Sequence, residues 1–288
     1  MVQQGRAVAM VLIAALMWGT TGTARALGPA GAAPLAVGAV RIAIGGALLV
    51  LIAFARGTLF GRRWPLVPAL LAAVAVAIYQ LSFFEGVARA GVAAGTIVAI
   101  GSAPAFAGVF AFLALRERPT TRWLVSTAVA VIGIVLLALP TGVTPVEPLA
   151  ILLPLVAGAG YAVYATASKR LLRDGDNVAV AAIGFGGGAV ILLPVLALAD
   201  LSWLRDPRGL SVALWLGVVT TAIAYILFTR ALTRLPVSWG ATLSLAEPLT
   251  ASLLGTVVLG ESLAPIQLVG AGLVAVGLVA LAASPRPS

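Results

Sequence analysis

Apolar residues run along this chain in blocks of about 20, the length a helix needs to cross the hydrocarbon core of a bilayer. Loop charges, glycines and prolines punctuate the blocks. Cutting at these marks predicts ten membrane-spanning helices, over 7–27, 34–54, 65–85, 92–114, 121–140, 150–169, 178–199, 210–230, 237–259 and 264–283. No polar stretch between them is long enough for a separate soluble domain. The first block, with Arg6 before it and Ala24–Arg25–Ala26 at its end, also has the outline of a secretory leader. Removing it would leave nine helices and spoil the repeat described next, so it is read as a retained span.

One stretch organises the rest. Ser244–Glu261, SLAEPLTASLLGTVVLGE, is an apolar helix with a proline and a glutamate inside it. Proline in a helix interior removes a backbone bond and kinks the helix, and glutamate at bilayer depth is costly and usually functional. The layout recurs at Ser102–Glu117, SAPAFAGVFAFLALRE. A shift of 144 residues lays Pro104 on Pro248, Glu117 on Glu261 and Gly133 on Gly277, with ten identities in the thirty-five positions from 104 to 138. The chain therefore reads as a duplicated membrane unit, 1–145 and 146–288, with a broken helix at the same place in each copy and Pro104 and Pro248 as hinges.

Composition sharpens this picture. The chain is 61% hydrophobic and only 9% charged, against roughly 25% charged in soluble proteins. It has neither cysteine nor histidine, which excludes disulfides, thiolate chemistry and nearly all zinc, haem or iron–sulfur sites; no cofactor or metal is expected. Gly184–Gly188, GFGGG, has no Lys-Ser/Thr after it and reads as close helix packing, not a phosphate cradle. The net charge of +9 is explained by basic loops and not by nucleic acid. With the N-terminus inside, thirteen basic residues fall on the cytoplasmic side and four outside, with Arg41 within a span. That bias orients both termini to the cytoplasm. Five helices per copy is an odd number, so the copies face opposite ways, with Glu117 cytoplasmic and Glu261 external.

Several spans gather polar and aromatic residues on one helical face: Trp18, Thr21 and Arg25; Tyr79, Ser82, Phe83 and Gly86; Tyr161, Tyr164 and Ser168; Thr221, Tyr225 and Phe228; Gly240, Ser244 and Glu247. In lipid such faces point inward, to a cavity or to a neighbouring helix. Either role suits a single Ser or Thr. The four tyrosines lie deeper than an interfacial belt, and an aromatic lining with hydroxyl tips suits a small amphipathic solute. Glu247 and Arg41 are the charges deepest in the spans. Glu247 is a candidate for a substrate ammonium or a coupling proton, or else a structural partner of Arg41 or a helix end. Glu117 and Glu261, just before Pro119 and Pro265, read as structural carboxylates at helix starts.

These motifs resemble a family. Trp18-Gly19, Ser102-Ala103-Pro104 leading to Arg116-Glu117, Ala246-Glu247-Pro248 leading to Gly260-Glu261, and the following Gly133 and Gly277 are similar to the signature of the drug/metabolite transporter superfamily, specifically its ten-helix EamA-type permeases. At whole-chain level the sequence is similar to the bacterial YddG-type exporters of aromatic and other amino acids. The resemblance implies an all-α integral membrane fold of two inverted five-helix repeats around a central cavity. It implies lining by helices one, three, four, six, eight and nine, with two, five, seven and ten peripheral. Glu247 has Ala103 opposite it in the repeat, so its charge is no symmetric element of the fold. The expected function is export of small metabolites, amino acids including aromatic ones, across a bacterial inner membrane by alternating access, by a monomer without covalent chemistry. An exporter of another solute and an integral-membrane enzyme are the alternatives; no paired carboxylates or metal ligands support the latter.

Overall fold

The computed structural model describes residues 2–59, 63–90, 92–137, 147–260 and 262–284, without the side chains of 92–94. Every regular element among them is helical. In chain order these are α1 (Val2–Ala26), α2 (Pro34–Ala55), α3 (Leu66–Ala90), α4 (Val92–Leu115), α5 (Thr121–Leu137), α6 (Pro148–Leu171), α7 (Asn177–Ile191), α8 (Leu193–Leu198), a 3-10 turn (Ser202–Arg205), α9 (Pro207–Leu232), α10 (Val237–Leu243), α11 (Ala246–Leu259) and α12 (Pro265–Ala282).

 Proline opens α2, α6, α9 and α12, where its missing N–H costs nothing. The Asp176 carboxylate caps α7 by accepting the N–H groups of Val178 and Ala179 at 2.9 and 3.2 Å. The expected span 178–199 divides into α7 and α8 because Pro194 has no N–H to carry the ladder on. Among the described residues, eight helical stretches are long and apolar enough to cross a membrane, counting α10 and α11 as one. The apolar helices α5 and α7 are shorter.

Helices of the first half pack chiefly on helices of the second: α3 and α4 on α6, α2 on α7 and α9, α1 on α9 and α11, α5 on α12. Contacts along each pair give its direction. Gly133 meets Val274 and Gly270, while Gly277 meets Ser126 and Ala130, so α5 and α12 are antiparallel. Gly46 meets Phe185 while Arg56 pairs with Asp176 at 3.4 Å, so α2 and α7 are antiparallel. Gly158 meets Ser102 while Arg170 donates to the Ala114 carbonyl, so α4 and α6 are parallel. The glycines of GFGGG serve the same purpose: a Cβ on Gly184, Gly187 or Gly188 would lie 2.6–2.7 Å from Tyr164, Ala73 or Val76.

The two proline helices differ. Pro104 sits inside the continuous α4. In the second copy the helix is interrupted at Ser244–Leu245, and Pro248 lies in the first turn of α11. There the Leu245 N–H donates to the Thr242 carbonyl at 3.0 Å and the Glu247 N–H to that of Ser244 at 2.9 Å. The second of these tighter i→i−3 bonds takes up the Ser244 carbonyl, which Pro248, lacking an N–H, cannot serve. The expectation of a break in both copies thus fails for the first.

Arg116, at φ 62°, ends α4 in the left-handed conformation, and the Glu117 N–H closes the turn on the Ala111 carbonyl. Gly260 adopts the same conformation, φ 71°, after α11. Glu261 lies outside the described residues. The Glu117 carboxylate was expected at the start of its own next helix; instead it accepts the Val237 N–H at 2.8 Å, capping α10 in the other half. Thr120 caps α5, its hydroxyl accepting the Trp123 N–H. Burial pushes the Glu117 carboxyl above the usual range, against the opposing pull of the Val237 N–H, Lys169 and Arg173.

Two stability predictions follow from this packing. Gly133→Ala forces a methyl to within 2.6 Å of the Val274 backbone and should cost about 1–3 kcal/mol. Gly272→Ala meets nothing within 4 Å and should be neutral or mildly stabilising in the same thermal unfolding assay in detergent. For Glu117, a raised folded-state pKa means the native state binds the proton more tightly than the unfolded chain, so its contribution falls as pH rises through that pKa. Glu117→Gln keeps an acceptor for Val237 without the buried charge. It should be at least as stable as the parent at pH 7, whereas Glu117→Ala should lose about 1–3 kcal/mol.

Candidate functional site

All four tyrosines converge. Tyr79 from α3, Tyr161 and Tyr164 from α6 and Tyr225 from α9 border one cavity with Arg41, Ile42, Ala75, Val76, Gln80 and Phe185. Each tyrosine lies on the inward stripe of its helix, and small residues around them (Ala72, Ala75, Ala162, Ala165) let the helices close in. The room left between the side chains is that of roughly one or two water molecules, so the cavity is collapsed.

Aromatic rings pack in and behind its walls. Trp18 lies 4.9 Å from Tyr225 and 5.5 Å from Phe228, ring centre to ring centre. Tyr225 lies 4.1 Å from Phe185, and Phe185 is edge-on to Tyr164 at 5.3 Å. Tyr161 reaches Phe228 at 5.8 Å, and its hydroxyl shares a 2.9 Å hydrogen bond with the Ser244 hydroxyl at the break before α11. Phe83 stacks on Tyr79 at 5.5 Å. Gly19, next to Trp18, lets α1 settle on the start of α11: a Cβ there would lie 2.8 Å from the Glu247 carbonyl and 2.6 Å from Thr250. The Trp-Gly pair thus sends an aromatic ring against Tyr225 and Phe228, behind the cavity wall, and a bare backbone to the interrupted helix.

The side chain of Glu247, half-buried in the first turn of α11, makes no hydrogen bond or contact ion pair among the described residues, and Arg41 is the cation whose field reaches it. Other expected residues serve the packing. The buried Thr221 hydroxyl donates to the Leu216 carbonyl at 2.9 Å, and its side chain lies against Gly45 of α2. It belongs to a π-helical stretch, Trp215–Ile223, within α9. Ser82 is buried and donates to the Ile78 carbonyl at 2.6 Å. Thr21 is half-buried; its neighbour Thr20 is the one that accepts the Trp215 indole N–H, at 2.9 Å. Arg25 lies over the Phe84 ring at 5.7 Å.

The cavity walls correct one expectation. Helices two and seven, expected at the periphery, supply Arg41, Ile42 and Phe185, while α1, α4 and α11 supply no wall of this cavity. The reason is steric. Trp18, Tyr225 and Phe228 occupy the middle, so the free space shifts toward α2 and α7. Gln80 and Phe185 were not singled out in the sequence. An amide within an apolar span was a usable signal for the first. Phe185 was hidden among glycines whose evident role was packing.

A polar, aromatic cavity thus lies among helices of membrane length, and comparison with known proteins defines the class. The EamA-like transporter family matches twice, over residues 5–139 and 148–283. The chain belongs to that family and is a membrane transporter. It is 42% identical over 276 residues to the uncharacterized transporter YwfM of Bacillus subtilis, covering 96% of this chain and 93% of that protein. It is 33% identical over 272 residues to the threonine/homoserine exporter RhtA of Escherichia coli, covering 92% and 87%. It is 30% identical over 237 residues to a probable terminal-alkyne amino-acid exporter of Streptantibioticus cattleyicolor, covering 80% and 78%. A solved crystal structure superposes over 95% of both chains with a TM-score of 0.82 at 21% identity, a likeness of fold alone.

Proposed function

We propose that the chain exports amino acids, aromatic ones among them, across a bacterial inner membrane by alternating access. The observation that carries this reading is the cavity itself. Tyrosine rings offer apolar surface to a side group, and Glu247 stands near it as a carboxylate for an ammonium or a coupling proton. The names of the exporter relatives favour amino acids as the class.

In this reading ten helices cross the membrane in two inverted repeats, 1–145 and 146–288, around that cavity. The double family match supports the division. The packing supports the symmetry: in the 144-residue register, Gly133 against Val274 exchanges with Gly277 against Ala130, and both contacts occur. The pairs α3–α6 and α1–α9 exchange in the same way, as do α4–α6 and α1–α11. The antiparallel course of α5 against α12 and of α2 against α7 supports counting the two shorter helices as traversals. Alternating access is then rocking of one repeat against the other, with the interruption before α11 as a flexing point.

Proteoliposomes loaded with labelled threonine or phenylalanine, with and without a pH gradient, test the function. Glu247→Gln should remain folded and inserted while transport falls by about tenfold or more, the loss of one charge-assisted contact. Normal transport by this variant at every pH would reject the role of Glu247. Movement of threonine without phenylalanine would remove aromatic substrates from the reading.

Orientation is tested separately. Arg63 and Arg205 are both exposed, and the chain has no native cysteine. With both termini cytoplasmic, Arg205→Cys should react with an impermeant thiol reagent added to intact cells and Arg63→Cys should not. The reverse pattern would invert the topology.

A further inference from the structure

Among the described residues, Arg41 is the only cation bordering the cavity, and it is only 8% exposed. It takes part in no salt bridge among the described residues, and its Nε is buried without a hydrogen-bond partner. Gln80, 1% exposed, borders the same cavity, and neither its Oε1 nor its Nε2 has a partner. The two are brought together by a glycine. A Cβ on Gly38, one turn before Arg41 on α2, would fall on the Gln80 amide nitrogen, so the bare backbone there is what lets the amide lie against α2.

An unpaired guanidinium at bilayer depth is expensive, and so is a buried amide with no partner. Packing does not explain either, since each could be replaced by an apolar side chain of similar size. Two neighbouring N–H donor groups facing one cavity fit an anion with two oxygens, and a guanidinium fork matches a carboxylate in particular. The pole is also one-sided. In the 144-residue register Arg41 falls on Phe185, which lines the same cavity, and Gln80 falls on Ala224. The second copy therefore presents an aromatic ring and a methyl group where the first presents these donors. Glu247 stands apart from Arg41, with no contact between them within 4 Å. The cavity thus has a cationic wall, and the carboxylate of Glu247 lies beyond its lining, within electrostatic reach of Tyr79 and Tyr225.

We infer that Arg41 and Gln80 form the carboxylate-binding pole of the transport site, holding the α-carboxylate of an amino acid whose ammonium is directed toward Glu247. This rests on the amino-acid reading proposed above. Arg41 gives the charge and the fork, and the Gln80 Nε2 gives a further donor. The tyrosine rings then face the substrate's side group and set little beyond its size and apolarity.

Labelled threonine and phenylalanine are the probes, in proteoliposome counterflow, with each amino acid's methyl ester as an unlabelled competitor. The ester keeps the ammonium and side chain but carries no carboxylate. In the parent protein the free acid should compete at least tenfold better than the ester. Arg41→Gln should raise the half-saturation for the acid by about 10- to 100-fold and leave that for the ester nearly unchanged, so the preference collapses. Arg41→Lys, which keeps charge without the fork, should retain part of the preference. Gln80→Leu, close in volume, should lower it on its own, and it stands as the test if Arg41→Gln is not monodisperse after purification. An unchanged acid-to-ester preference in a folded Arg41→Gln, or in Gln80→Leu where the former does not fold, overturns the inference and leaves the transport reading intact. A parent protein that moves neither amino acid overturns the transport reading, and this inference with it.

Discussion

The structure depends on backbone meeting backbone across the two halves. Lipid tails are as apolar as leucine, so no hydrophobic gain draws one membrane helix to another, and close packing must supply the attraction. Glycine is what permits it here. Gly133 and Gly270 bring α5 onto α12, Gly46 brings α2 onto α7, Gly158 brings α6 onto α4, and Gly19 brings α1 onto α11. These are contacts between halves, so neither half is a body that could stand beside the other. The cavity exists because the same close approach holds four tyrosines from three helices around one point.

Against that near-symmetric frame, the chemistry is asymmetric. Arg41 has Phe185 as its counterpart and Glu247 has Ala103. In the proposed reading, duplication supplies the cage, and substitutions that broke its symmetry supply a site with two unlike ends. The interruption at Ser244–Leu245 belongs with them, since α4 runs through Pro104 unbroken. The polar link at that interruption, Tyr161 to Ser244, joins the cavity wall directly to the turn.

Much of this was legible in the sequence because a bilayer imposes strict lengths and forces polar residues inward. The hydrophobic blocks located the helices to within a few residues, and helical spacing put Tyr79, Tyr161, Tyr164 and Tyr225 on inward faces. What spacing cannot do is divide an inward face between a cavity and a neighbouring helix. Thr221 and Tyr225 lie on one stripe, yet the first rests on Gly45 and the second borders the cavity. Glu117 was legible as a structural carboxylate, but its partner, the Val237 N–H, lies 120 residues away and is set by how the halves interlock. Phe185 and Gln80 were missed for the same cause: which helices enclose the free space depends on where Trp18 and Phe228 place their bulk.

The π-helical stretch Trp215–Ile223 carries a further consequence. A π turn holds more residues than an α turn, so a helix containing one stores surplus chain in its own length. Handing that surplus on toward the following turn would rotate each side chain it passes by about one residue's arc, roughly 100°. The next aromatic residues in its way are Tyr225, which borders the cavity, and Phe228, both packed against Trp18. A wave of this kind would swing the rings aside and make room for a solute while both ends of α9 stayed anchored, the opening being a twist travelling within a single helix.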